Sequence, residues 1–124
     1  MNAGASLLVG ALIVGLIGCA TTNQKYDWGK YDASLYSYYK DPSKEGELSA
    51  SLVAVINNSK GGKVPPGIYA EYGYLQLQQG KNQEAVASFK QEAAHWPESK
   101  VFMNQMIKVA SESAPAAATH GSTK

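Results

Sequence analysis

Arginine is absent from this 124-residue chain, and cysteine occurs once. With 11 lysines set against 10 acidic residues, the charge is almost balanced. The concentrated basic face of a nucleic-acid binder is therefore missing. One cysteine makes neither an internal disulfide nor a thiolate cluster for zinc. No stretch alternates apolar and polar residues as a half-buried strand would, so the expected fold is all-α. No apolar run reaches the roughly 18–20 residues that a transmembrane helix needs. Phenylalanine and tryptophan are scarce, at two each, but tyrosine occurs eight times. The length leaves room for one small domain, since domains usually take about 100–200 residues. An apolar fraction of 44% argues against wholesale disorder.

The longest apolar run, Leu7 to Ile17, covers eleven residues. That length suits the hydrophobic core of a secretory signal, about 7–15 residues. Leu16-Ile17-Gly18-Cys19 follows, and it resembles the bacterial lipobox: a Leu three before Cys, and a small residue directly before it. The resemblance implies cleavage between Gly18 and Cys19 and acylation at Cys19. The sole cysteine stands where that chemistry needs a thiol. Residues 1–18 are then a signal and 19–25 a lipidated tether. Stable anchoring takes more than one acyl chain, each buried methylene contributing about 0.8 kcal/mol. Ala20 stands where inner-membrane retention usually shows Asp, so the expected location is the outer membrane, facing the periplasm.

Five helices are expected between residues 26 and 111, with a polar, small-residue tail over 112–124. Trp28, Tyr31, Leu35 and Tyr38 or Tyr39 share a helical face in the first, which Asp41-Pro42 ends. Asp41 is placed to cap the next turn, with Pro42 in its first position. Leu48, Leu52, Val55 and Ile56 form the seam of the second helix. Pro65-Pro66 restarts the chain, and Ile68, Tyr69, Tyr72 and Leu75 share a face up to a left-handed cap at Gly80. Asn82 can cap a fourth helix, with Ala85, Val86, Phe89 and Ala93 inward, ending at Pro97. Ser99 can cap a fifth, with Phe102, Met103, Met106, Val109 and Ala110 toward the core.

Pro66 to Lys100 resembles a tetratricopeptide repeat, a 34-residue pair of antiparallel helices, at Tyr69, Gly73, Gly80, Glu84-Ala85, Phe89 and Pro97. Gly73 and Ala85 are small where the helices cross, and Phe89 fills the space beneath the turn. Two positions depart from the pattern: Gln76 replaces an aromatic and Glu92 a small residue. A single repeat cannot bury its face alone. A 34-residue shift pairs Leu35 with Tyr69, Tyr38 with Tyr72, Gly46 with Gly80 and Val55 with Phe89, an echo of an earlier, degenerate unit. The expected architecture is thus a short α-solenoid of helical hairpins.

Tyr26-Asp27-Trp28-Gly29-Lys30-Tyr31, Pro65-Pro66-Gly67-Ile68-Tyr69-Ala70-Glu71-Tyr72-Gly73-Tyr74, Glu92 and Pro97-Glu98-Ser99 carry a wider resemblance. They resemble an uncharacterised family of short Gram-negative lipoproteins, known only as a domain of unknown function. Members tend to be encoded beside a lipoprotein resembling the curli secretion pore and a second small lipoprotein. The resemblance implies a part in an envelope assembly and no chemistry.

Catalytic candidates are few. His95 stands at a helix end before Trp96-Pro97, where the helix dipole favours it, and His120 lies in the tail. No Ser has a nucleophile-elbow context, no His-Glu-x-x-His occurs, and no glycine-rich loop follows a strand. Glu45 and Glu47 beside Lys44 read as a solvated helix start. No enzyme, cofactor, metal or small-molecule substrate is expected. Tyrosine brings large contact area with little entropy to lose, so it suits both cores and binding surfaces. In Tyr38-Tyr39 and in Tyr72 with Tyr74, one ring must leave the core stripe. Tyr36, Tyr74 and one of Tyr38 or Tyr39 are therefore the expected partner-binding patch. The expected function is that of an outer-membrane adaptor or accessory subunit in an envelope or secretion assembly. The alternative is a structural lipoprotein that binds peptidoglycan or modulates cell-wall enzymes.

Overall fold

A computed structural model describes residues 25–59, 61 and 63–113. The expected signal, Gly18, Cys19 and His120 lie outside the described residues. The described chain is all-α: α1 (Tyr31–Lys40), α2 (Glu45–Asn58), α3 (Ile68–Gln78), α4 (Asn82–His95) and α5 (Lys100–Glu112). Short 3-10 turns, Pro42–Lys44 and Pro97–Ser99, lead into α2 and α5. Each extensive helix contact joins sequence neighbours, α1 on α2, α2 on α3, α3 on α4 and α4 on α5. The result is a row of hairpins.

Proline and glycine set the breaks. At Asp41-Pro42, Asp41 Oδ1 accepts from the Ser43 N–H at 3.0 Å, the cap expected there. That contact holds the Asp41 carboxyl below its ordinary pKa, first through its hydrogen bonds with Ser43. Gly80 takes φ +73°, with Lys81 N–H donating to Gln76 O and Gly80 N–H to Leu77 O. Those two bonds define a Schellman closure, which a left-handed glycine allows at no steric cost. Asn82 and Ser99 are not side-chain caps. Asn82 begins α4 itself, and the Ser99 hydroxyl instead donates to Trp96 O at 2.7 Å.

The first helix starts later than its apolar spacing suggests. Residues 26–30 form a turn in which Gly29 takes φ +52° and its N–H donates to Asp27 Oδ1 at 3.0 Å. An aspartate bonding the backbone two residues on competes with helix. Trp28 therefore reaches Tyr31 from the turn, with the rings stacked at 5.8 Å.

Two clusters share α3. Leu48, Leu52, Val55, Val64, Ile68 and Leu75 form the first, overlaid by Trp28, Tyr31, Leu35, Tyr38, Tyr69 and Tyr72. Ala85, Phe89, Met103 and Ala110 form the second, flanked by Ala70, Leu77 and Met106. Buried on both sides, α3 is apolar around most of its circumference, as a sandwiched helix must be. Each large aliphatic or Phe side chain fully buried there contributes about 1.5–3 kcal/mol. Gly73 sits at the α3–α4 crossing, where a Cβ would lie 2.7 Å from Phe89 Cε1 and 3.1 Å from Ser88 Cβ.

Three expectations need correction. Phe102 and Val109 do not face the core: they are 63% and 41% exposed. Among the described helices α5 packs on α4 alone, which covers its Met103–Ala110 strip, with Met106 and Ile107 beside it. The 34-residue echo also misplaces its turn. Gly46 lies inside α2, and the chain reverses at Asp41-Pro42 instead. Helix α5 extends to Glu112, so the first residue assigned to the tail is helical.

Candidate interaction surface

The tyrosines divide as their spacing requires. Tyr38 and Tyr72 pack on the first cluster, whereas Tyr36, Tyr39 and Tyr74 are 63%, 81% and 50% exposed. Of the adjacent pair, Tyr39 is the outward ring and Tyr38 the inward one, because only Tyr38 continues the Tyr31–Leu35 stripe. Lys40 Nζ lies over the Tyr36 ring, 5.7 Å from its centre. Val101 and Phe102, also strongly exposed, lie on α5. Periodicity alone assigned Phe102 inward, since an α5 covered on two sides would have buried it.

A second set of aromatics joins the turn before α1 to the junction of α4 and α5. Tyr26 meets Trp28 edge to face at 6.2 Å and Trp96 at 6.0 Å. Trp96 Nε1–H donates to Val64 O at 3.1 Å, and Lys63 Nζ lies 4.5 Å from the Trp96 ring centre. Lys25 Nζ sits 5.6 Å from the Tyr26 ring. The tyrosine and tryptophan counts in the sequence hold no sign of this long-range assembly.

Beneath those rings, Pro65-Pro66-Gly67-Ile68 makes a type II turn into α3, with Gly67 at φ 87°, ψ −16°. The Gly67 N–H donates to Glu92 Oε1 at 2.7 Å. Glu92 is 2% exposed, and its Oε2 has no hydrogen-bond partner among the described residues. A carboxylate beside the first turn of α3 is stabilised by the N–H groups and dipole of that helix. Glu92 is thus an acid supplied by α4 to hold the start of α3, which explains the departure from a small residue. Gln76, the other departure, accepts from the Ser88 hydroxyl at 2.6 Å and joins the same two helices. The Tyr31 hydroxyl donates to Glu71 and links α1 to α3. Burial, then this bond, raises the Tyr31 pKa well above its ordinary value.

His95 ends α4, with Nδ1 2.8 Å from Gln91 O and its ring 5.3 Å from that of Tyr69. A carbonyl only accepts, so Nδ1 carries the proton. The ring serves the helix end. Lys44 Nζ pairs with Glu47 at 2.7 Å on the solvated start of α2, as expected there. A groove of about 550 Å³ opens between the Asp27–Lys30 turn and the small side chains Ala50, Ser51 and Ala54 of α2. Its wall includes a buried hydroxyl, Ser51 Oγ, that has no hydrogen-bond partner among the described residues. Among the described residues, no group of three or more His, Cys, Asp or Glu side chains is placed to hold a metal ion. No described helix is long and apolar enough to cross a membrane.

No curated protein and no solved structure matches the chain. One family model does match, and it spans residues 25–106, from the Tyr26 turn through most of α5. Its boundaries take in the whole first cluster, the Glu92–Gly67 junction and all of the second cluster's buried residues but Ala110. The chain belongs to the family named Domain of unknown function (DUF4810).

Proposed function

We propose that this protein is an outer-membrane lipoprotein, anchored through Cys19, whose helical domain stands in the periplasm as an adaptor of an envelope or secretion assembly. Leu16-Ile17-Gly18-Cys19 supports the anchor, as the only cysteine occupies the acylated position. The α3–α4 hairpin fits a tetratricopeptide-like unit. Gly73 permits the close crossing, Gly80 closes the turn, and Phe89 is buried against Gly73. Such units characteristically present side chains for other proteins to grip.

The exposure of Tyr36, Tyr39 and Tyr74 carries the reading. Three large rings turned to solvent contribute little to the fold's own stability. At an interface, tyrosine is among the residues that dominate binding energy. The partner that fits best is a lipoprotein resembling the curli secretion pore, with a second small lipoprotein in the same assembly.

Mild crosslinking of intact membranes, followed by affinity purification of this chain, tests the proposal. Recovery of the pore-like lipoprotein is the expected result. Recovery of sacculus-bound enzymes in its place transfers the domain to cell-wall work and overturns the adaptor assignment.

A further inference from the structure

We propose that the end of the domain built from Tyr26, Trp28 and Trp96 rests against the lipid surface. The proposal rests on the reading of Cys19 as a lipid anchor. Six residues separate Cys19 from Tyr26, so seven Cα–Cα steps join them. Fully extended, they reach at most about 25 Å. A folded unit of this size has a radius of gyration near ~12 Å, and a uniform sphere with that radius of gyration is about 30 Å across. The Tyr26 end is therefore held within one domain width of the bilayer, and it is the end that faces the lipid.

The chemistry of that end suits a membrane interface. Tyrosine and tryptophan favour the headgroup level, where one edge of the ring is apolar and the other wet. Tyr26, Trp28 and Trp96 are half-buried, and the Tyr26 ring meets both tryptophans edge to face, so the three form one partly exposed aromatic group. Exposed Lys25 and Lys63 flank the rings at 5.6 and 4.5 Å, placed to meet lipid phosphates. Nearby acids are partly engaged: Asp27 accepts from Gly29 and Glu71 from Tyr31, with Asp32 exposed beside them. Tyr36 and Tyr39 stand about 8 and 12 Å farther along α1 from Tyr31. Seating the Tyr26 end on lipid thus leaves them accessible to a protein partner.

Both tryptophans of the chain lie in this patch, so their emission reports on it directly. The full protein, purified from membranes, is reconstituted into vesicles of equal phosphatidylethanolamine and phosphatidylglycerol, with and without brominated acyl chains. Flotation with the vesicles reads the anchor, and bromine quenching reads the patch. Expected are flotation, quenched and blue-shifted tryptophan emission, and a quenched fraction that falls in high salt. Lys25→Gln and Lys63→Gln each lower the ratio of quenched to unquenched protein by about fivefold, with circular dichroism unchanged. Flotation with unquenched tryptophans overturns this proposal and leaves the anchor standing. Failure to float overturns both.

Discussion

Adding one methyl group at Gly73 separates two reasons for a helical glycine. Alanine is favoured over glycine inside a helix by about 1 kcal/mol. On propensity alone, Gly73→Ala therefore stabilises the protein. The structure demands the opposite. The new Cβ would lie 2.7 and 2.9 Å from two ring carbons of Phe89, and that ring is 1% exposed with no room to retreat. Overpacking a closed core of this kind costs about 1–3 kcal/mol. Gly46 provides the control, since a Cβ there meets nothing within 4 Å and the residue also lies in a helix. The propensity gain is common to both variants and cancels to first order. Gly73→Ala is therefore expected to melt below Gly46→Ala by the packing cost alone. At about 4–8 °C per kcal/mol for a domain of this size, thermal circular dichroism resolves that gap easily. Adding Phe89→Leu to each variant sharpens the comparison: neighbours in contact couple by about 0.5–3 kcal/mol, and the distant Gly46 does not. Equal melting of the two alanine variants, or no coupling with Phe89, would refute the close-approach argument.

Other consequences follow from the polar contacts and the outward rings. Glu92→Ala removes the acceptor of the Gly67 N–H at a part-buried junction and is expected to cost about 1–3 kcal/mol. Glu92→Gln keeps an acceptor and loses less, and melting curves rank the two. Tyr31 has a raised pKa in the folded protein, so its contribution is complete below the unfolded value of about 10. It fades as pH rises toward the folded value, and denaturant titrations above pH ~10 should show wild type approaching Tyr31→Phe. Replacing Tyr36, Tyr39 and Tyr74 together by serine should move stability by only about 0.5 kcal/mol per site, as exposed positions do.

The sequence reveals more of the helices than of what joins them. Leu48, Leu52 and Val55 at spacings of four and three place α2 against the core because a helix buries one continuous stripe. Gly80 was legible for a related reason: a left-handed cap has few chemical solutions. Local patterns say nothing about which helix covers which. Phe102 and Val109 lie on the α5 stripe yet face solvent, as α5 has α4 on one side and no described helix on the other. Glu92 looked like a misfit in a helical hairpin, since its reason lies 25 residues away at Gly67. The Tyr26–Trp96 contact spans still more of the chain, and no spacing rule reaches it. For the tyrosines, the alternation argument required one ring of each pair to turn outward, and the Tyr31–Leu35–Tyr38 stripe decides that Tyr39 is the one.

The central claim is that the outward tyrosines serve a partner and not the fold. Site-specific photo-crosslinking in living cells tests it most directly, with a photoreactive phenylalanine placed singly at Tyr36, Tyr39 and Tyr74. The account predicts the same discrete adduct from all three sites, containing the pore-like lipoprotein, and none from exposed Glu47 on α2. Folded, membrane-held protein that yields no adduct at any of the three tyrosines would contradict it.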